Sequence, residues 1–291
     1  MSRFTTVRTG GPAEHFARTG QEQRLAELMR WATGEGLAVN VVGSGSNLLV
    51  ADRGVPGLVV KLDGELAAIE AHGQTLQCGG GARLPAVSAR AAQLGLTGIE
   101  FGVNIPGTVG GAVRMNANAY GGELARVLDW VEVAGADGLQ RLGPDELGFD
   151  YRSSSLRPGQ IVVRACFRLE ACTPQEVKQT LATMRAQRRA AQPSGIKTFG
   201  STFKNPRDER ARGLTAGQLL ARAGCGGLAR GGARLSPKHA NFVENDGTAS
   251  TADVVAVMSE GRQRVLEQCE VALEPEVQVL GELIWPWAGK G

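Results

Sequence analysis

Three short segments combine residue types that could do chemistry. In the first, Gly43-Ser44-Gly45-Ser46-Asn47, two glycines two apart let the main chain bend sharply and present successive N–H groups to an anion. It is not a dinucleotide fingerprint, because position 48 is leucine and no long helix opens there. No GxxxxGK[ST] loop occurs in the chain either. Taken alone, the segment reads more simply as a hairpin turn. The second, Gly98 to Gly122, is the most glycine-dense run. Within it Pro106-Gly107-Thr108-Val109-Gly110-Gly111 supplies a rigid turn, a hydroxyl and three glycines, against which a large ligand can lie. The third is Gly200-Ser201-Thr202-Phe203-Lys204-Asn205-Pro206, preceded by Arg188-Arg189 and Gln192-Pro193. A serine, a lysine and an amide on one loop can hold a phosphorylated substrate and move a proton. A solvated polar loop fits that segment equally well. Tyr151-Arg152 and Glu274-Pro275-Glu276 read singly as a surface arginine and a strand-edge carboxylate.

These segments need elements to position them. Thr19 to Glu22 has capping-box spacing, and Leu25, Leu28, Met29 and Ala32 then share one helical face. Short strands are expected at 37–42, 48–50, 57–61, 67–71, 75–78 and 127–133, with a helix at 84–94. Ile161, Val163, Ala165, Phe167 and Leu169 alternate strictly, which predicts a half-buried strand. Thr173-Pro174-Gln175-Glu176 gives an N-cap, a proline at the first helical position and the capping glutamate, and Val177, Leu181 and Met184 form the apolar face. Further helices are expected at 216–223 and 252–269, and a final strand at 271–280. Trp285 to Gly291 show no pattern and are expected to fray.

Composition narrows the classes. The 291 residues are 42% hydrophobic and 21% charged, so a buried core is expected. The 41 glycines are about twice ordinary usage, without a G-X-Y period. Net charge is +3 with the charges interspersed, which argues against a nucleic-acid binder. No run of about 18 apolar residues argues for a membrane span, and no apolar leader follows Met1. Five scattered cysteines without a CxxC pair suit a reducing cytoplasm and argue against a zinc site or disulfide framework. Three scattered histidines make a metal site a poor expectation, so none is assigned.

In this order, the segments resemble those of one family: bacterial UDP-N-acetylenolpyruvoylglucosamine reductase, the flavoenzyme of peptidoglycan precursor synthesis. The resemblance runs from Thr5-Thr-Val-Arg-Thr-Gly-Gly-Pro-Ala13 to Leu273-Glu-Pro-Glu-Val277 and includes Val42 to Leu49, Ile105 to Ala112, Tyr151 to Ser154, Gly200 to Pro206 and Ser236 to Phe242. It implies an α+β fold of the PCMH-type (vanillyl-alcohol-oxidase-like) FAD-binding class. Residues 1–62 and 63–172 would form two FAD-binding lobes, and 173–291 an α+β substrate domain. By the same resemblance Gly43, Ser44, Gly45, Ser46, Asn47, Pro106, Gly107, Thr108, Gly110 and Gly111 hold non-covalent FAD. Tyr151, Lys204 and Asn205 hold substrate, and Arg152, Ser201 and Glu276 take the catalytic places. The short interval between Arg152 and Ser201 resembles the family's shorter (type II) branch. Asn104 and Asn118 stand where the family usually has glycine, so positive φ and a modest strain are expected there.

The implied reaction reduces the enolpyruvyl double bond of UDP-N-acetylglucosamine-enolpyruvate to UDP-N-acetylmuramate, with NADPH as co-substrate and FAD as hydride carrier. Arg152 would face the substrate carboxylate, and Ser201 would protonate the second carbon with help from water or Lys204. Glu276 would need a raised pKa, because an ionised carboxylate repels the developing charge. A cytoplasmic monomer is expected, without nucleic acid or membrane as partner. Another FAD-dependent sugar or alcohol oxidoreductase, or a non-catalytic nucleotide-sugar binding protein, are the alternatives.

Overall fold

The alternating run at 161–169 becomes the middle strand of the largest sheet in a computed structural model that describes residues 1–193 and 195–288. The sheet is antiparallel, ordered Gly138–Leu142, Leu128–Gly135, Ile161–Arg168, Thr75–Gly79, Ile69–His72. The middle strand is buried on both faces rather than one. Its register also slips: Glu132 pairs with Arg164 and Val133 with Val162, leaving Val163 as the extra residue of a bulge. The bulge undoes the simple alternation. Ile161 and Val163 join one core with Leu25, Met29 and Ala32, while Val162, Ala165 and Phe167 join another with Leu84, Val87 and Ala91.

The chain divides into two compact units. The sheet unit comprises Glu14–Ser44 and Pro56–Arg188; the terminal unit comprises Met1–Ala13, Gly45–Val55 and Arg189–Gly291. In the sheet unit, α1 (Glu22–Gly34) buries the face its spacing predicts. It starts later than the capping-box reading requires: Gln21 is the N-cap, and the Thr19 hydroxyl accepts from the Gln21 N–H instead. A smaller sheet places Val55–Leu62 between Ala13–Thr19 and Val39–Val41, the last pair parallel. Helix α2 (Leu84–Leu94) carries proline in its first turn and ends on left-handed Gly95. Helix α3 (Val109–Arg114) carries the second glycine-rich segment. Helix α4 (Pro174–Ala191) opens on the expected Thr173–Glu176 capping box.

The terminal unit packs α5 (Ala216–Arg222) and α6 (Thr251–Cys269) around Phe199, Phe203, Leu235, Val243 and Val265. Its three-stranded sheet runs Ala229–Arg230, Ala233–Leu235, Val243–Asn245, and Leu48–Val50 pairs in parallel with Gln278–Leu280. The expected strand at 271–280 is therefore confined to its last three residues, since Pro275 lacks a donor for a ladder. Two acceptors fix the start of α6: the Ser250 hydroxyl takes the Asp253 N–H, and the Asp52 carboxylate takes those of Thr251 and Ala252. Trp285 to Ala288 do not fray. Trp285 stacks on Trp287 at 5.0 Å, and the Arg262 guanidinium lies 5.1 Å from the Trp287 ring. The remainder of that expectation, 289–291, lies outside the described residues. Among the described residues no helix is long and apolar enough to cross a membrane, and no three His, Cys, Asp or Glu side chains gather as a metal site.

Candidate active site

The turn at 43–47 lies where the chain passes from one unit to the other, so the candidate residues form two groups. In the sheet unit, Gly43 lies on Thr108. A Cβ on Gly43 would stand 2.3 Å from the Thr108 hydroxyl oxygen, so no larger residue fits. The first two sequence segments therefore meet. Lys61 Nζ donates to the Gly43 carbonyl at 2.7 Å. Burial, then Arg18, pushes the Lys61 pKa down, Arg83 adding to the effect and Asp63 opposing it. A half-buried ammonium beside two more cations favours a bound anion. Val109 and Gly110 donate to the carbonyls of Ala82 and Gly80 at 2.8 Å each, which clamps the loop in place. The Gly110 N–H is thus already engaged, whereas Gly111 is open: a Cβ there would meet only the Thr108 hydroxyl, at 3.6 Å. Pro106 is exposed at the loop's tip. Glycine-lined main chain, a threonine hydroxyl and a half-buried cation fit the diphosphate of a dinucleotide such as FAD.

Arg152 stands in the same unit, on a tight turn. Asp150 and Ser153 exchange backbone hydrogen bonds of 3.3 and 3.2 Å around it, and its φ is 57°. Its Nη1 donates to the Asn118 carbonyl at 3.2 Å and to the Asn118 side-chain oxygen at 2.9 Å. The Tyr151 ring lies 5.4 Å from the guanidinium carbon. Ser154 anchors the turn by donating to the Arg114 carbonyl at 2.9 Å.

Neither Asn104 nor Asn118 has the positive φ expected of it; Asn116 (38°) and Tyr120 (52°) carry that conformation instead. Asn104 ends a 3-10 turn, Glu100–Asn104, and its amide donates to the Met184 carbonyl at 2.8 Å. Its own carbonyl accepts from Arg188, whose pKa burial pushes down. Asparagine is used at 104 and 118 for its side chain, and the strain falls two residues to either side of Asn118.

In the terminal unit, Gly45 has φ 66° and its Cβ would fall 2.0 Å from the Phe4 carbonyl oxygen. Asn47 donates to the Glu276 carbonyl at 3.3 Å and accepts from the Gln278 N–H at 3.0 Å. The Glu276 N–H donates to the Thr202 carbonyl at 2.9 Å, and Ser201 bridges to Phe242. Asn47, Ser201 and Glu276 are thereby brought onto adjoining backbone. The Ser201 hydroxyl makes no hydrogen bond among the described residues. The Lys204 ammonium lies 3.7 Å from the Glu274 carboxylate, and the Lys204 N–H donates to the Glu274 carbonyl at 2.9 Å. Asn205 turns its side-chain oxygen to the Ala216 N–H at the start of α5, 3.1 Å away, so only its amide nitrogen remains for a ligand.

Sequence reasoning did not single out Asn241, Asn116 or Lys61. Asn241, inside the 236–242 segment, takes the Phe203 N–H on its oxygen and donates to the Phe203 carbonyl, both at 2.9 Å. Asn116 donates to Glu123 and to the Asp150 carbonyl, tying the Arg152 turn to its neighbour. A buried asparagine has no periodicity to betray it, and such contacts join distant residues.

Comparison with known proteins adds to this geometry. Residues 192–280 match the model of the UDP-N-acetylenolpyruvoylglucosamine reductase C-terminal domain, and residues 13–143 that of an FAD binding domain. UDP-N-acetylenolpyruvoylglucosamine reductase 2 of Symbiobacterium thermophilum is 41% identical over 287 residues, 98% of this chain and 92% of that protein. The Rhizorhabdus wittichii reductase is 45% identical over 283 residues, 97% of this chain and 90% of that protein. The crystal structure of UDP-N-acetylenolpyruvylglucosamine reductase from Thermus caldophilus matches with a TM-score of 0.84 at 37% identity, covering 96% of this chain and 97% of that one.

Proposed function

The chain belongs to the UDP-N-acetylenolpyruvoylglucosamine reductase family, and we infer its function from that membership together with the chemistry above. It is an FAD-containing, NADPH-dependent oxidoreductase on an α+β PCMH-type fold. It reduces the enolpyruvyl group of UDP-N-acetylglucosamine-enolpyruvate to give UDP-N-acetylmuramate in peptidoglycan precursor synthesis. The observation that carries this conclusion is a relationship to named reductases along almost the whole chain.

The finer assignments are proposals. Gly43, Thr108, Gly111 and Lys61 hold the FAD diphosphate from the sheet unit, and Gly45 to Asn47 complete the turn. When bound, FAD supplies the redox chemistry, passing a hydride equivalent from NADPH to the enolpyruvyl double bond. Arg152 sets a permanent positive charge against the substrate carboxylate, where negative charge grows as the double bond is reduced. Ser201, whose hydroxyl makes no hydrogen bond among the described residues, gives a proton to the carboxylate-bearing carbon. Glu276 in its protonated form donates a hydrogen bond to the same developing charge. Tyr151 flanks the arginine, and Lys204 and the Asn205 amide approach the nucleotide or sugar. Residues 1–62 and 63–172 act as the flavin lobes and 173–291 as the substrate domain, in a cytoplasmic monomer that needs neither membrane nor nucleic acid.

The reading is tested anaerobically. NADPH should bleach the flavin, and the enolpyruvyl nucleotide should restore its colour. Bleaching without recovery would remove the substrate assignment, and absence of flavin would remove the whole reading.

A further inference from the structure

We propose that Lys61 is the positioning residue of the flavin-diphosphate site: its ammonium draws the Gly43 carbonyl to itself and so turns the Ser44 N–H outward as a donor to the diphosphate. The inference deepens the reading of Gly43 and Ser44 as part of an FAD site, and it rests on that reading.

Lys61 stands on a rigid element. It belongs to Val55–Leu62, the middle strand of the smaller sheet, between Val60 and Leu62, which lie in one core with Leu25 and Ala32. Val39–Val41 runs parallel beside that strand, and the Val42 N–H donates to the Val60 carbonyl at 2.9 Å. The chain therefore leaves the sheet next to Lys61, whose Nζ reaches the Gly43 carbonyl at 2.7 Å. A trans peptide is planar, with its carbonyl and its N–H on opposite edges. Once Lys61 holds the carbonyl, the Ser44 N–H faces the other way. Among the described residues neither that N–H nor the Ser44 hydroxyl makes a hydrogen bond. Thr108, against which Gly43 lies, is in the same condition: it is the N-cap of α3 and only 7% exposed, yet its hydroxyl does not cap the helix.

Charge gives the contact its sign. Lys61 pairs with no carboxylate among the described residues, and Asp63, two residues along, gives its own carboxylate to Arg18 and to the Gly64 N–H. Burial first, then Arg18, with Arg83 adding and Asp63 opposing, disfavours the ammonium. A cation kept in such surroundings becomes favourable when an anion arrives. The peptide carries its effect onward, because a cation on the carbonyl polarises the unit and makes the N–H at its far edge a stronger donor.

The test compares Lys61→Met, Lys61→Gln and Lys61→Arg as full chains. Flavin fluorescence on dilution of the FAD-loaded protein, at low and at high KCl, gives the FAD dissociation constant. Thermal melting of the same chains stripped of flavin reads the fold by itself. Lys61→Met and Lys61→Gln should each raise the dissociation constant about tenfold, as loss of a charge-assisted bond does, and flatten its rise with salt. Lys61→Arg keeps a charged donor and should stay within about threefold of the parent. Stripped of flavin, the two neutral variants should melt at or above the parent, since they remove a desolvated cation that faces Arg18 and Arg83. Parental dissociation constants in all three variants would overturn this inference alone. Equal weakening in all three would overturn it too, because fit rather than charge would then be at work. Neutral variants that melt lower without flavin, or do not fold, while Lys61→Arg keeps the parent's salt response, would show Lys61 acting only on the fold. A parent without flavin would remove the FAD reading and the inference with it.

Discussion

Replacing Asn241 by alanine tests how the Ser201 segment is held. Asn241 is 4% exposed, and its carboxamide satisfies both backbone groups of Phe203, itself 1% exposed, at 2.9 Å each. Alanine leaves a buried N–H and a buried carbonyl without partners, at about 1–3 kcal/mol each, so the expected loss is about 2–6 kcal/mol. At about 2–4 °C per kcal/mol for a chain approaching this size, Tm should fall by roughly 5–20 °C. Scanning calorimetry on the FAD-loaded protein measures it. Asn241→Asp separates the two bonds: it keeps the acceptor, loses the donor at pH 7 and regains one when the buried carboxyl protonates. Its deficit should therefore shrink as pH falls from 7 to 5, because burial raises a carboxyl pKa. Since Phe203 lies two residues from Ser201, reoxidation by the enolpyruvyl nucleotide should slow in both variants. A Tm within 2 °C of the parent for Asn241→Ala would refute the reasoning, as water would then be replacing the amide at little cost.

Other outcomes follow from the same geometry. Ser201→Ala should leave flavin reduction by NADPH intact and slow reoxidation about 100-fold or more, the usual contribution of a positioned acid; equal slowing of both half-reactions would remove the proton-donor role. Gly45→Ala places a side chain at φ 66° and 2.0 Å from the Phe4 carbonyl oxygen, so the purified protein should carry markedly less flavin. A parental flavin-to-protein absorbance ratio would argue that this turn is not part of the cofactor site. The Gly64 N–H, and then Arg18, hold the Asp63 carboxyl below the usual carboxylate range. Its contribution to stability is present above that range and is lost as pH falls through the lowered value. Asp63→Asn should therefore narrow the gap between urea midpoints at pH 7 and pH 3, and an unchanged gap would discount the pairing.

Local signals in the sequence were sufficient for α4, where proline, the capping box and a 3.6-residue face agree. They failed at 161–169, because alternation records side-chain type and carries no trace of a bulge or of a sheet covered on both faces. The glycines at 43 and 45 were legible as turn formers; what demands them, Thr108 and the Phe4 carbonyl, was not. Asn118 is the instructive case. Its departure from the family pattern was visible, but the physical reason assigned was backbone conformation, whereas the structure shows its side-chain oxygen accepting from Arg152. At Lys204 the sequence carried no sign of the backbone pairing that sets its ammonium beside Glu274.

The terminal unit is stitched from both extremes of the polypeptide, and ribosomes deliver those extremes far apart in time. The Val7 carbonyl accepts from Asn245, and the Thr251 hydroxyl bonds to Thr9 and to the Val50 carbonyl. At elongation rates of about 5–20 residues per second, Val7 waits roughly 10–50 seconds after leaving the exit tunnel before its partner exists. During that interval the leading segment is an unsatisfied ribbon open to proteases and chaperones. Nascent chains arrested before residue 245 should therefore be clipped near their leading end, and a circular permutant that joins the two extremes early should fold faster than the natural order.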